Sequence, residues 1–226
     1  MAPNNLKKPE LLAPAGDLEK LKVAILYGAD AVFIGGKEFS LRARASNFTL
    51  DDIREGVEFA HEHGAKVYVT TNIIAHNENL RGLDEYLTAL DSIGVDAIIC
   101  ADPFIISTAK NLNLNMEIHI STQQSITNSE AVNFWYDFGA HRVVLARELS
   151  IDEIAKIRQK TKADLEVFIH GGMCVSYSGR CTLSNNMTDR DANRGGCAHS
   201  CRWNYWLYNK NNQLLTPENS FFNLGS

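Results

Sequence analysis

The sequence predicts an α/β fold of the TIM-type (β/α) barrel class, incomplete at its C-terminus, with a cysteine-rich loop after the seventh strand. Three observations predict it. Seven short β-branched runs alternate strictly with helical stretches along the 226 residues, the order that builds a parallel barrel. The runs are apolar on both faces, as in VFIGG, AIIC and RVVLA, the pattern of a parallel sheet covered by helices. The first strand leads into Pro14-Ala15-Gly16-Asp17 and not into G-x-G-x-x-G, which argues against a dinucleotide-binding half of a doubly wound sheet, the main alternative.

The strands fall at Glu10–Ala13, Ala31–Gly35, Lys66–Thr71, Ala97–Cys100, Met116–Ser121, Arg142–Ala146 and Leu165–His170. The helices between them carry start or stop signals. Leu18–Tyr27 opens after Asp17. Leu50–His63 has Asp51 and Asp52 in its first turn and Gly64 past its end. Leu80–Ile93 stops at Gly94, and Pro103–Asn111 follows the cap Asp102. Ser129–Phe138 stops at Gly139, and Ile151–Thr161 follows Ser150. After His170 the periodicity is lost. The expected organisation is barrel units over 1–170, a Cys-rich loop over 171–204, and over 205–226 a hairpin followed by the start of a last barrel unit. Phe221-Phe222 near the terminus reads as an interrupted strand in a chain cut short.

Composition narrows the function classes. Hydrophobic residues make up 45% and charged residues 22%, a globular balance. No apolar run is long enough to span a bilayer. Residues 1–8 lack the apolar core of a secretory signal, so a cytoplasmic, reducing location is expected. The net charge of −5 does not advertise nucleic-acid binding, though a local basic patch still can. Residues 171–210 hold Arg180, Arg190, Arg194, Arg202 and Lys210 against Asp189 and Asp191, a net +3, beside the stacking rings of Trp203, Tyr205 and Trp206.

In barrels the chemistry sits at the C-terminal ends of the strands. Those ends supply Arg42, Arg44 and Asn47 after the second strand, Asn72 after the third, Asp102 after the fourth, Gln123 after the fifth, Arg147 and Glu148 after the sixth, and His170 after the seventh. The arginines suit a carboxylate or phosphate. Asn72 and Gln123 have no capping duty and are candidate substrate contacts. Arg147, Glu148 and His170 are the candidate catalytic groups. Asp102 reads as a helix cap and His119 as a satisfied core histidine.

Cys174, Cys181, Cys197 and Cys201 follow the spacing C-x6-C-x15-C-x3-C. Structural zinc sites favour tight C-x2-C pairs. Four thiolates on a glycine-rich loop suit a cubane iron–sulfur cluster, which tolerates varied spacing. Zinc, disulfides and unrelated buried thiols are the alternatives on spacing alone.

The segment EVFIHGGMCVSYSGRCTLS, Glu166–Ser184, resembles the signature of the U32 family, long filed as collagenase-like peptidases. ELLAPAG at Glu10–Gly16, HISTQ at His119–Gln123, RVVLAREL at Arg142–Leu149 and NRGGCAHSCRW at Asn193–Trp203 agree with it. The resemblance implies an enzyme of RNA modification, of the prephenate-dependent tRNA or rRNA hydroxylation type, with a [4Fe–4S] cluster. Its expected ligands are Cys174, Cys181 and Cys197, with Cys201 or a cysteine beyond residue 226 as the fourth. It implies tRNA or another RNA as partner, a small dicarboxylate such as prephenate, no membrane, and compatibility with a homo- or hetero-oligomer. Peptide hydrolysis and a non-catalytic iron–sulfur scaffold are the other two readings. For hydrolysis, Ser176, Ser178 or Cys174 beside His170 would be the nucleophile–base pair; no H-E-x-x-H or G-x-S-x-G occurs.

Overall fold

The computed structural model describes residues 8–41, 48–171, 174–177 and 180–216. Seven strands form one sheet: β1 (Leu12–Pro14), β2 (Ala31–Gly35), β3 (Lys66–Thr71), β4 (Ala97–Cys100), β5 (Glu117–Ile120), β6 (Arg142–Val144) and β7 (Asp164–Glu166). Each pairs in parallel with the next, in the order β1 to β7. Between them run α1 (Leu18–Leu26), α2 (Leu50–Glu62), α3 (Leu83–Ile93), α4 (Pro103–Asn111), α5 (Ser129–Phe138) and α6 (Ile151–Arg158). The result is a curled half-barrel of the TIM type, as the alternation predicts.

The caps act as their residue types dictate. The Asp17 carboxylate accepts from Lys20 N at 2.8 Å. Thr49 with Asp52, and Ser150 with Glu153, form reciprocal capping boxes. Gly94 and Gly139 end α3 and α5 in the left-handed conformation. Several boundaries differ from the periodicity: β1 starts at Leu12 and not at Glu10, β5 is one residue shorter at each end, β6 stops at Val144 and not at Ala146, α1 and α2 each stop one residue early, and α6 stops at Arg158 and not at Thr161. The third helix starts at Leu83 and not at Leu80, because Gly82 (φ 80°) turns the chain out of the helical path. β7 stops at Glu166, where pairing with β6 runs out. Val167, Phe168, Ile169 and His170 continue as exposed chain.

Side chains alternate across the sheet. One face packs on the helices through Leu21, Ile53, Val57, Val67, Val69, Leu87, Leu90, Ile98, Ile105, Ile106 and Ile120, all buried. The other face lines the barrel interior, where Ala31, Tyr68, Ala97 and Ile99 pack with Leu12 and Phe33. Polar groups share this interior. Arg142 of β6 donates to Glu10, just before β1, at 2.6 and 3.3 Å, and lies 3.6 Å from Glu166. The Tyr68 hydroxyl of β3 donates to the same Glu10 carboxylate at 2.9 Å. Arg142 also sits over the Tyr68 ring, 5.3 Å from its centroid. In a flat sheet with strands about 4.8 Å apart, β1 and β6 would be roughly 24 Å apart. The Glu10–Arg142 contact therefore requires the curl.

Burial pushes the Glu10 carboxyl up, but the Arg142 guanidinium and the Tyr68 hydroxyl outweigh it and hold it below the ordinary 4.5. Burial pushes Glu166 up. His119 is a core histidine as expected, meets Glu117 at 3.0 Å and packs edge-on against Tyr68, but its Nδ1 is buried without a partner, so it is only half satisfied; burial holds its ring below the usual histidine value.

A depressed carboxylate stabilises the fold above its unfolded pKa and loses that contribution as pH falls through the folded value. Acid is therefore expected to loosen the barrel below about pH 4.5, starting from the Glu10 value in the unfolded chain. Glu10→Gln is expected to flatten this part of the stability–pH curve. Arg142→Met is expected to cost roughly 2–4 kcal/mol, between the ranges of surface and fully buried pairs, read from urea midpoints.

Candidate functional site

The C-terminal ends of the strands form one polar mouth. The Ser40 and Thr70 hydroxyls share a hydrogen bond of 2.7 Å, and Thr70 also reaches the Ile34 carbonyl. The Asn72 side-chain oxygen accepts from Leu41 N at 3.2 Å, tying the β2–α2 loop to β3. Asp102 caps α4 through Phe104 N and also accepts from Ala75 N, both at 2.8 Å. Gln123 is buried; its side-chain oxygen accepts from the Ser121 hydroxyl at 3.1 Å, and its amide nitrogen has no partner.

The thiol loop is seated on this mouth. The Asn193 carbonyl accepts from Ile74 N at 3.2 Å. Arg194 donates to Glu78. Arg147 donates to the Ser176 carbonyl at 3.3 Å, leaving its Nε buried without a partner. Gly195 takes a positive φ of 87°, and a Cβ there would come within 3.1 Å of the Leu41 carbonyl. Within the loop, Asp191 Oδ1 accepts from Asn193 N at 2.8 Å and the Asp191 carbonyl accepts from Gly196 N at 2.7 Å. A short helix, α7 (Leu183–Thr188), follows Cys181; its sequence carries little apolar periodicity, which is why the spacing does not predict it.

Cys174, Cys181, Cys197 and Cys201 are all free thiols. Cys181 is buried, which pushes its thiol up. The backbone N–H groups of Ser184 and Leu183 and the Ser176 hydroxyl outweigh that and hold it below its ordinary value. Cys174 and Cys197 are exposed and Cys201 is half-buried. Soft thiolate donors suit iron–sulfur or zinc chemistry, so the donor set fits such a group. Among the described residues no three His, Cys, Asp or Glu side chains converge as a metal-holding group.

The other residues singled out by sequence divide. Gln123 and Arg147 present unpartnered polar atoms in the mouth. Asn72 spends its side-chain oxygen on a loop tie. Glu148 is exposed and forms no ion pair with Arg147 among the described residues. His170 is exposed, four residues past the end of β7 and not at the strand end. Arg42, Arg44, Asn47, Ser178 and Phe221-Phe222 lie outside the described residues. Residues 207–216 form the expected hairpin, with Tyr208 bridged to Leu214. Sequence reasoning passed over Asn79, Asp191 and Asn193. The signal for the last two was the run Asp191–Gly196, in which an Asx residue precedes a Gly-Gly pair.

A TIM-type half-barrel with a thiol-rich loop laid over its mouth defines the class of protein. The chain belongs to peptidase family U32, whose family model matches residues 16–223. It is 62% identical to "tRNA hydroxylation protein P1" of Bacillus subtilis (strain 168) over 202 residues, 89% of this chain and 48% of that protein. It is 45% identical to "23S rRNA 5-hydroxycytidine C2501 synthase" of Escherichia coli (strain K12) over 210 residues, 92% of this chain and 31% of that protein. The chain thus spans half or less of the length of these two relatives. The solved structure of the U32 peptidase Mk0906 superposes with a TM-score of 0.61 at 15% identity, covering 76% of this chain and 74% of that one; this likeness concerns the fold. No helix of the described residues is long and apolar enough to cross a membrane.

A Cβ at Gly196 would lie 2.5 Å from the Asp191 carbonyl and 2.8 Å from its nitrogen, both rigid backbone atoms. Gly196→Ala is therefore expected to break the Asp191 turn and loosen the thiol loop while leaving the barrel folded. Hydrogen exchange should rise over residues 190–201 and not over β2–β5. Uniform exchange across both regions would refute this local role.

Proposed function

We propose that the chain is the barrel portion of an RNA-hydroxylating enzyme, which acts on a pyrimidine of tRNA or ribosomal RNA presented to the mouth. The observation that carries this reading is the seating of the thiol loop. Contacts through Asn193, Arg194 and Arg147 hold the loop that carries four free thiols against the mouth, where Gln123 and Arg147 keep unpartnered polar atoms. The names of relatives at 62% and 45% identity support the reaction class.

In this reading Cys174, Cys181, Cys197 and Cys201 hold a [4Fe–4S] cluster, which when bound supplies one-electron transfer. Hydrogen-bond donors around Cys181 favour its thiolate. The Arg147 guanidinium and the Gln123 amide hydrogens orient a small dicarboxylate such as prephenate, with Arg42 and Arg44 as further cations. Buried donors without partners favour a ligand that satisfies them. Glu148 and His170, both exposed, are the candidates for proton transfer with bulk water. The net +3 of residues 171–210 suits an RNA backbone, and a cytoplasmic location goes with that substrate. Peptide hydrolysis has less support: the Ser176 hydroxyl is spent on Cys181, and among the described residues no hydrogen bond joins it to His170.

The test is complementation of a deletion strain with the full-length protein, followed by mass spectrometry of hydroxypyrimidine nucleosides in tRNA and rRNA. The wild type is expected to restore one of them and Cys181→Ala to abolish it. Arg147→Ala is expected to lower it roughly 10–100-fold, the cost of losing a charged contact of about 1.5–3 kcal/mol. Anaerobically purified protein is expected to carry about four iron and four sulfide per chain. Equal hydroxypyrimidine content with and without the gene would overturn the reading.

A further inference from the structure

We propose that the cavity between the β3–α3 loop and the thiol loop is the seat of a single pyrimidine base. The inference rests on the RNA-hydroxylation reading and assigns that substrate to particular residues. The cavity is an open recess of about 240 Å³ lined by Ile73, Asn79, Asp191, Arg194 and Gly196. It lies at the mouth end of β3, and Gly196 immediately precedes Cys197, so the thiol loop forms one of its walls. The space is below the ~300–1,000 Å³ usual for drug-sized ligands. It has room for one ring system, with the rest of a chain left outside in solvent.

The walls are fixed before any ligand arrives. Ile74 N donates to the Asn193 carbonyl, which joins the two loops. Arg194 donates to Glu78. Asn79 Oδ1 accepts from His76 N at 3.0 Å, and Asp191 Oδ1 accepts from Asn193 N at 2.8 Å. Each of these two side chains thus uses one atom to hold its own turn. Among the described residues nothing engages the other atom, the Asn79 amide nitrogen or Asp191 Oδ2. The cavity therefore offers one anionic acceptor, an amide donor, the remaining guanidinium hydrogens of Arg194 and an apolar wall at Ile73.

That set matches a pyrimidine edge. Uracil presents an N–H between two carbonyls, and cytosine presents an exocyclic amine beside a ring nitrogen and a carbonyl. One carboxylate oxygen accepts from either N–H, while the amide and guanidinium donate to the acceptors, and the ring lies against Ile73. A base that reaches such a pocket is read by its hydrogen-bonding edge. The Asp191 carboxylate repels a phosphate or a dicarboxylate, so the anionic co-substrate belongs on the Arg147 side of the mouth.

The test uses the full-length protein and two near-isosteric variants, Asp191→Asn and Asn79→Asp. Each keeps the oxygen that holds its turn and reverses the hydrogen-bonding sense of the free atom. Binding of an oligoadenylate carrying one uridine is compared with that of the all-adenosine strand. Wild type is expected to prefer the uridine strand, and each variant to weaken that preference about 10-fold, as loss of a hydrogen bond to a charged or buried partner would. Binding through the phosphates alone would instead strengthen in Asp191→Asn, because a negative charge is removed. No preference in wild type, or an unchanged preference in both variants at unchanged melting temperature, overturns the pocket. The two readings separate in the deletion strain. If hydroxylation needs the protein but neither Asp191 nor Asn79, the pocket falls alone. If the uridine preference depends on both residues while RNA hydroxylation does not depend on the protein, the pocket stands and the reaction falls.

Discussion

The carboxylate of Glu10 holds together three parts of the chain that would be far apart in a flat sheet. Arg142 of β6 and Tyr68 of β3 both donate to it, from opposite sides of the barrel interior. A hydrogen bond tolerates only a few tenths of an ångström of stretch, so this triad sets the curvature of the sheet. Everything at the mouth depends on that curvature. The loops after β2, β3 and β6 meet the thiol loop only because the strands that carry them converge. The triad is polar and largely buried, so its value lies more in specifying one closed geometry than in net stability. An apolar interior of equal volume would pack without fixing where β1 lies relative to β6.

The two ends of the barrel are built on different principles. The interior near the strand starts is filled by side chains that bond one another, Glu10, Tyr68 and Arg142, then His119 with Glu117, although His119 Nδ1 and Glu166 Oε2 are left without partners. The mouth keeps polar atoms in reserve at Gln123, Arg147 and Asn193. Buried polar groups without partners are costly. At the mouth these atoms lie around the thiol loop and the strand ends that hold it. The thiol loop contributes to the same end and is held there by backbone contacts more than by packing: the Ile74–Asn193 bond, the Gly195 approach to Leu41 and the turn closed by Asp191.

Most of the fold was legible because periodicity and caps act locally. Strands β2, β3 and β4 and helices α4 and α5 have the limits their sequences predict. The misses are tertiary. Nothing local tells that Glu10 lies before β1 and not in it, with its side chain directed into the interior. Nothing local tells that β7 ends at Glu166, because strand length there is set by how far β6 runs beside it. On the longer strand that the sequence predicts, His170 stands at the strand end; with β7 ending at Glu166 it does not. Asn72 read as a free amide because its partner, Leu41 N, is 31 residues away. The cysteines were legible by type and clustering. Their seat on the mouth was not, since it depends on Asn193 and Arg147 meeting chain segments distant in sequence. Asp191 and Asn79 resemble ordinary turn residues in the sequence, and that both line one recess depends on two loops distant in the chain meeting.

Two thiols of this chain show how environment, and not burial alone, sorts one residue type into different roles. Cys100 in β4 and Cys181 in the loop are both buried. The Cys100 sulfur lies 3.8 Å from the His119 carbonyl, and burial and the nearby Asp102 charge push its thiol well up. It behaves as a small apolar side chain. Cys181 receives hydrogen-bond donors from two backbone amides and a hydroxyl, which favour the thiolate and overcome the cost of burial. Those donors exist because the chain turns into α7 directly after Cys181 and because Ser176, itself held by Arg147, lies alongside. The lowered pKa of Cys181 is thus produced by how the loop is seated on the barrel, through the same contacts that bring the loop to the mouth.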